Sequence, residues 1–145
     1  MAQVKAITFY KYQGAGNDFV LIHGIPKEIH DWWERLSLPQ RRQLVRKACD
    51  RNLGIGGDGL ILLHEEDATM VSWDFFNADG STAEMCGNAA RCVGAFWDDM
   101  HRFPSGPLML KTAAGIVEIT KATATQYQVR MAEVSVLNAC KSIGV

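Results

Sequence analysis

Alternation of apolar and polar residues dominates the first part of the chain and is typical of strands buried on one face. It predicts strands over residues 4–12 and 19–22, and the glycines of QGAGND (13–18) predict a turn between them. Apolar runs bounded by turn residues predict two further strands, over residues 60–65 and 70–76.

Between these strand pairs the spacing of apolar residues changes to that of a helix. Residues 31–51 are predicted to be helical, with a second start at Ser37. Ser37 and Gln40 form a capping box there, and Pro39 lies in the first turn, where its missing N–H has no cost. Gly54 supplies a stop signal.

A tight loop, NADGS (77–81), precedes a second helix predicted over residues 86–100. Its sequence, CGNAARCVGAFW, is small or apolar around most of the circumference, with Arg91 as the exception, which is typical of a buried helix. Alternating segments after it predict a C-terminal meander, with a hairpin turn at Ala114-Gly115. These segments are residues 108–112, 116–120, 127–131 and 134–137.

This order of elements is not a regular alternation of strand and helix. It predicts an α+β fold with a mostly antiparallel sheet. The small residues of the second helix, among them Ala89, Ala90 and Gly94, would let strands approach closely. We therefore expect one sheet curled around a central buried helix.

Composition and charge remove several classes of function. Fifteen basic residues stand against sixteen acidic ones in 145 residues, a net charge of -1, which gives no electrostatic basis for binding nucleic acid or an anionic membrane. No apolar run reaches the roughly 18 residues of a spanning helix, and the N-terminus lacks the apolar centre of a signal peptide. We therefore expect a cytoplasmic protein without a membrane partner.

The four cysteines are too few for a disulfide scaffold and form no C-x-x-C pair. The four histidines lie far apart in sequence, which argues against a zinc site. Three cysteines have the context of small buried hydrophobes: Cys49 on an apolar helix face, Cys92 in the central helix, and Cys140 in the C-terminal tail. The fourth, Cys86, has a different context.

Cys86 follows a polar segment and precedes Gly87 and Asn88 at the predicted start of the second helix. Unpaired N–H groups and the helix dipole at such a position favour a thiolate and can bind a substrate carboxylate. The glycine lets a ligand approach the backbone without a side chain in the way. His101 lies about four turns away on the same helix, too far to act as the base of a cysteine hydrolase.

A competing helix start is also present. Ser81 and Glu84 form a second capping box, which would leave Cys86 one turn inside the helix. This alternative ranks second, because Gly87 and Asn88 would then be poor interior residues.

Gly54, Gly56 and Gly59 of GIGGDG match the dinucleotide-binding pattern G-x-G-x-x-G. That pattern requires a strand before the glycines and a helix after them, whereas here the predicted helix precedes and the strand follows. GAGND also lacks the Lys-Ser/Thr of a phosphate-binding loop. We therefore interpret the glycines as a connection between helix and strand.

Several motifs in order resemble those of the diaminopimelate epimerase family. FFNADGSTAEMCGNAARC (75–92) resembles its first cysteine motif, YKYQGAGNDFVLI (10–22) its N-terminal strand-turn-strand, and RNLGIGGDGLILL (51–63) its Gly-rich segment. TAAG (112–115) resembles the short T-x-x-G element that follows. The resemblance extends over roughly residues 8–131.

The resemblance implies one of two pseudo-symmetric α+β domains, with the active site between them. Such enzymes interconvert LL- and meso-diaminopimelate in lysine biosynthesis without pyridoxal phosphate or metal. One cysteine removes the α-proton as a thiolate, and a second, from the other domain, returns a proton from the opposite face. The full-length enzyme is expected to be a homodimer.

Carried over residue by residue, the resemblance makes Cys86 the catalytic thiol of the first domain. Gly87 and Asn88 would hold the substrate α-carboxylate with backbone N–H groups, and Asn17 and Asn77 would bind the polar ends of the substrate. Taken alone, each of these two side chains could equally be a turn residue that bonds its own backbone. Arg91 could neutralise a nearby carboxylate or pair with a surface acid.

Some features depart from the family pattern. Ala89 stands where many relatives have glycine, and Gly59 stands where some have glutamine. Residues 132–145 match no family element, and Cys140, in NACKS, lacks the flanking glycine and threonine of the second cysteine motif. We therefore expect residues 1–131 to form the N-terminal domain of a longer enzyme, inactive alone. The alternatives are a non-catalytic amino-acid-binding or interaction module and a related cofactor-independent racemase or isomerase.

Overall fold

The computed structural model describes residues 6–24 and 27–131, and in this part of the chain seven strands form one sheet with three helices. In chain order the elements are β1 (Tyr10–Gly14), β2 (Asn17–His23), α1 (Lys27–Arg35), α2 (Leu38–Cys49), β3 (Gly59–Glu65), β4 (Met70–Asn77), α3 (Gly87–Asp99), β5 (Leu108–Thr112), β6 (Gly115–Thr123) and β7 (Gln126–Arg130).

Most predicted elements are present, with shifted ends. The first strand begins at Tyr10 instead of residue 4, and the first helix begins at Lys27, before the predicted residue 31. The second start at Ser37 is confirmed: its Oγ accepts the backbone N–H of Gln40 at 3.4 Å, and the Gln40 side chain accepts that of Ser37 at 2.8 Å. The predicted strand over residues 134–137 lies outside the described residues.

The hairpin between β5 and β6 turns one residue earlier than predicted. Ala113 and Ala114 form the turn, and Gly115 opens β6 at φ 116°, a backbone conformation that favours glycine.

The sheet is mixed and, as predicted, mostly antiparallel. Its strands follow the chain order from β1 to β7, and four of the six neighbouring pairs are antiparallel. The two parallel pairs, β2 with β3 and β4 with β5, are the two that a helical connection separates in sequence. This agrees with geometry, since parallel neighbours need a crossover connection.

The two crossovers lie on opposite faces of the sheet. β3 shows this directly: Ile61 and Leu63 pack with α3, whereas Leu60 and Leu62 pack with α1 and α2. β2 and β3 run in one direction, and β4 and β5 run in the opposite direction. Two crossovers of the same hand must therefore cover opposite faces of the sheet. The helix inside the curl is α3, which follows β4.

Both edges of the sheet wrap around α3, which contacts β1 and β2 on one side and β6 and β7 on the other. Small residues of the helix make this possible. A methyl group at Gly94 would lie 2.8 Å from Ile119 Cγ2 and 3.1 Å from Tyr127 Cδ1. The expected sheet curled around a buried helix is confirmed.

Two tyrosines connect the edge strands to the last turn of α3. Tyr127 of β7 donates its hydroxyl to Asp98 Oδ2 at 2.7 Å, and Tyr12 of β1 donates to Asp99. Burial and these hydrogen bonds raise the pKa of both tyrosines. The edge strands are thus joined through the helix.

A half-buried ion pair lies on the outer face, under α1. His64 Nε2 lies 3.3 Å from Asp74 Oδ2 across β3 and β4, and the His30 ring packs edge-on against His64 at 5.8 Å. The hydrogen bond between His64 and Asp74 raises the pKa of His64 and lowers that of Asp74.

His64→Gln should remove a pH-dependent contribution to stability. The folded state raises the pKa of His64 above 6.5, so the contribution is complete below pH 6.5 and is lost as the pH rises through the folded-state pKa. The free energy of unfolding of the native chain should therefore fall relative to that of the variant by about 0.5–1 kcal/mol on raising the pH from about 6 to 8.

Urea titrations at the two pH values measure this effect. In the control His101→Asn, which removes an exposed histidine whose φ of 56° an asparagine tolerates, the pair of His64 with Asp74 is intact, so the fall assigned to that pair should remain. If the free energies of unfolding of the native chain and of His64→Gln differ by the same amount at both pH values, the pH-dependent contribution is not that of His64.

Candidate functional site

The chain returns to the sheet before it enters α3, and this return positions Cys86. After the 77–81 loop, Thr82 forms a bridge with Phe76, and the Ala83 N–H donates to the Phe75 carbonyl at 3.3 Å. The next residues lead across the inner face, where Cys86 packs at the margin of the core.

Cys86 is the N-cap of α3. Its backbone is extended, with φ −144° and ψ 116°, and its Sγ accepts the backbone N–H of Ala89 at 3.5 Å. The side chain is half-buried. The helix therefore starts where the glycine and asparagine predicted.

The alternative helix start is wrong. The Ser81 hydroxyl donates to Asp79 Oδ1 at 2.6 Å and accepts from Asn77 Nδ2 at 3.0 Å, so it closes the loop instead of capping a helix. Glu84 is exposed and lies before α3 begins.

Gly87 has room for a methyl group beside it. A methyl group there would meet only Arg91 Nη1 at 3.5 Å and Met131 Sδ at 4.0 Å, which are ordinary contact distances. Its φ lies outside the left-handed region. In the described part of the protein, packing therefore does not require glycine at this position.

Asn17 reaches Asn88 because the β1–β2 hairpin turns beside the start of α3. Ala15 and Gly16 form the turn, with φ of 50° and 90°, and the alanine carries a strain that a glycine would avoid. Asn88 Nδ2 then donates to Asn17 Oδ1 at 2.8 Å. Residues 71 positions apart thus meet at the thiol end of the helix.

Two aspartates, Asp58 and Asp18, support Asn17. Asp58 Oδ2 accepts from Asn17 Nδ2 at 3.2 Å and from the Asp18 N–H at 3.0 Å. Asp18 in turn pairs with Arg51 at 2.6 Å and Lys11 at 2.7 Å, and these hydrogen bonds lower the pKa of Asp18. The proximity of a carboxylate 40 residues away had no signal in the sequence.

Asn77 occupies the same end of the sheet but has a different environment. It pairs with Gly59 across β3 and β4, is exposed, and donates its Nδ2 to Ser81 in its own loop. The Ala78 N–H donates to the Asp58 carbonyl, which connects this loop to the aspartate below Asn17. Among the described residues the structure therefore joins Cys86, Gly87, Asn88 and Asn17, and Asn77 makes a turn contact nearby.

Two other cysteines are core residues, as predicted. Cys49 is buried on the outer face, and Cys92 is buried in α3, where burial and the proximity of Cys86 raise its pKa to about 11. Burial also raises the pKa of Cys49. Cys140 lies outside the described residues.

The glycines of GIGGDG serve the chain's own packing. They follow the end of α2 and precede β3, the reverse of a dinucleotide site. A methyl group would lie 2.0 Å from the Lys47 carbonyl at Gly54 and 2.7 Å from the Phe76 carbonyl at Gly59. A glutamine cannot replace Gly59 here without moving β4.

Within residues 6–24 and 27–131, no group of three histidine, cysteine or acidic side chains has metal-binding geometry. In the same part of the chain, every helix is too short or too polar to span a bilayer.

Comparison with known proteins connects this arrangement to a family. The family model of diaminopimelate epimerase matches residues 9–137. The chain belongs to the diaminopimelate epimerase family. A diaminopimelate epimerase of Hydrogenobaculum sp. is 41% identical over 110 residues, which are 74% of this chain and 39% of the relative. One of Leptospira biflexa is 38% identical over 128 residues, 88% of this chain and 42% of the relative.

The chain thus spans about two-fifths of the length of these epimerases. Solved structures share the fold at low identity. A phenazine biosynthesis protein of the PhzF family from Enterococcus faecalis superposes with a TM-score of 0.58 at 11% identity, covering 82% of this chain and 41% of that one. A hydroxyproline epimerase from Agrobacterium vitis gives 0.55 at 19%, covering 77% and 36%.

Gly87→Ala and Gly94→Ala, both in α3, should differ in stability. At Gly87 the methyl group has room, so the free energy of unfolding should stay unchanged or rise by up to about 1 kcal/mol. At Gly94 it would overlap Ile119, and the free energy of unfolding should fall by about 1–3 kcal/mol. Urea unfolding of both variants measures the difference, and equal destabilisation would show that the space over Gly87 is filled.

Proposed function

We propose that this chain supplies the first half of a diaminopimelate epimerase, with Cys86 as one of its two acid/base thiols. The observation that supports this most is the position of Cys86: a half-buried thiol at the N-cap of α3, next to a glycine that packing does not require. The two buried thiols of the described region have raised pKa values and are poorly suited to the role.

In the proposed reaction, the Cys86 thiolate takes the proton from the α-carbon, and the electron pair of the C–H bond remains on the substrate. The charge spreads into the adjacent carboxylate. A second thiol, from the other half of the enzyme, donates its proton to the opposite face of the same carbon, which inverts the configuration. In the reverse direction the two thiols exchange roles.

The first turn of α3 supplies what such a carbanion needs. Backbone N–H groups at a helix start favour negative charge, and Gly87 and Asn88 would direct theirs at the substrate carboxylate. Asn17 and Asn77 would bind the polar ends of diaminopimelate. These donors carry no positive charge that would neutralise a thiolate.

The rest of the proposal concerns the whole enzyme. A second domain, pseudo-symmetric with this one, would close over the first turn of α3 and exclude water. The reaction needs neither pyridoxal phosphate nor metal, and it belongs to lysine biosynthesis. We propose a cytoplasmic homodimer of the full-length chain.

Cys86→Ala should remove α-proton exchange. In deuterated water, the full-length enzyme should incorporate solvent deuterium into LL-diaminopimelate. The rate of this exchange should be about 10²–10⁴-fold lower in the variant. Cys49→Ala is the matched control, because that thiol is buried on the opposite face of the sheet and should not affect exchange beyond a small loss of stability. Full exchange by Cys86→Ala would exclude it as an acid/base group.

Residues 1–145 alone should epimerise little or not at all, because the proposal requires a second thiol. Proton NMR of LL-diaminopimelate in deuterated water compares this fragment with the full-length enzyme at equal concentration. A turnover by the fragment within about tenfold of the full enzyme (1.4 kcal/mol) would show that the second half is dispensable. A fragment that binds diaminopimelate without any exchange, together with an inactive full-length protein, would favour a binding module.

A further inference from the structure

Four side chains at the start of α3 form a continuous series of hydrogen bonds. Arg91 Nη1 donates to Asn88 Oδ1 at 3.0 Å, Asn88 Nδ2 donates to Asn17 Oδ1 at 2.8 Å, and Asn17 Nδ2 donates to Asp58 Oδ2 at 3.2 Å. We call this series the amide relay. It begins on α3, passes through β2 and ends at the connection before β3.

The chemistry of its two ends fixes the direction of the relay. A guanidinium can only donate hydrogen bonds, and a carboxylate can only accept them. At the acidic end, Asp58 also accepts the Asp18 N–H at 3.0 Å and Arg51 Nη2 at 3.2 Å. If either asparagine amide were reversed, donor would face donor and acceptor would face acceptor.

The direction of the relay determines which hydrogen-bonding groups of the two asparagine amides remain unused. Each oxygen already accepts one hydrogen bond from the relay, and each nitrogen has donated one N–H. An asparagine amide has two N–H donors. Within the described residues, Asn17 and Asn88 therefore each keep one N–H for another partner.

Arg91 is close enough to influence the site without occupying it. It is exposed, and its Nη1 would lie 3.5 Å from a methyl group on Gly87. Among the ion pairs of the described residues it has no carboxylate partner, so its hydrogen bond to Asn88 is its principal polar contact there. Within residues 6–24 and 27–131, the expected pairing of Arg91 with a surface acid is therefore not seen.

We propose that Arg91 is a positioning residue that orients the Asn88 and Asn17 amides so that both present N–H donors to a substrate carboxylate. This inference rests on the proposed function for the identity of the substrate. Arg91 acts through Asn88, and it determines specificity for an oxygen acceptor over a group that carries its own N–H.

Arg91→Met keeps the length of the side chain and removes its donors, whereas Arg91→Lys keeps one donor. In the full-length enzyme, Arg91→Met should lower kcat/KM for LL-diaminopimelate about tenfold, mainly through KM, because the carboxylate is bound before and during the reaction. Arg91→Lys should recover most of the loss. Arg35→Gln, on the outer helix α1, makes the same charge change and should have no effect.

A specificity measurement separates positioning from general damage. The monoamide of diaminopimelate offers an NH₂ where the native substrate has an oxygen. The preference of the native enzyme is the kcat/KM for the dicarboxylate divided by that for the monoamide. In Arg91→Met this ratio should fall at least about threefold, because asparagine amides that are free to reverse accept either group.

The side-chain amide signals of the full-length protein test the relay without any activity. In ¹⁵N NMR, Arg91→Met should shift the NH₂ signals of Asn88 and also of Asn17, two hydrogen bonds away. Arg91→Lys should restore both signals, and Arg35→Gln should move neither. A shift of Asn88 alone would overturn the relay, whatever the kinetics show.

The kinetic measurements can also contradict the proposed role of Arg91. An unchanged ratio for dicarboxylate over monoamide, or a loss in Arg91→Met that the lysine fails to recover, would overturn the specificity role. If the unmodified full-length enzyme exchanges no α-proton, the proposed function fails, and the amide signals still decide whether the relay exists.

Discussion

The close packing of α3 inside the curled sheet is the constraint on which the rest of the structure depends. At Gly94 the helix has no room for even one methyl group against Ile119 and Tyr127. This contact holds the helix where both edges of the sheet can reach it. The position of Cys86 follows, because the first residue of a helix cannot be placed more accurately than the helix itself.

The central helix and its thiol cap could be predicted because their signals are local. Small and apolar residues around the circumference indicate burial, and Gly87 with Asn88 after Cys86 favours a helix start over a helix interior. The capping box at Ser37 is local too, and the structure contains both of its hydrogen bonds. In each case the partners lie within four residues of each other, so the sequence alone contains the interaction.

The rest could not be predicted because its partners are far apart in sequence. Asn17 and Asn88 are separated by 71 positions, and Asn17 and Asp58 by 41. Only the curl of the sheet brings them together. The start of α1 was missed for a related reason: His30, which precedes the predicted start at residue 31, packs its ring against His64 of β3, a partner far away in sequence.

The two tyrosine contacts make the last turn of α3 different from its first turn. Tyr12 and Tyr127 hold the edge strands to carboxylates in the last turn of α3, and both hydroxyl protons are used in these contacts. At the first turn the amide relay also ends on charged groups, Arg91 and Asp58, but each asparagine between them keeps one N–H. One end of the curled sheet is therefore closed by the fold's own hydrogen bonds, and the other retains donors for a ligand.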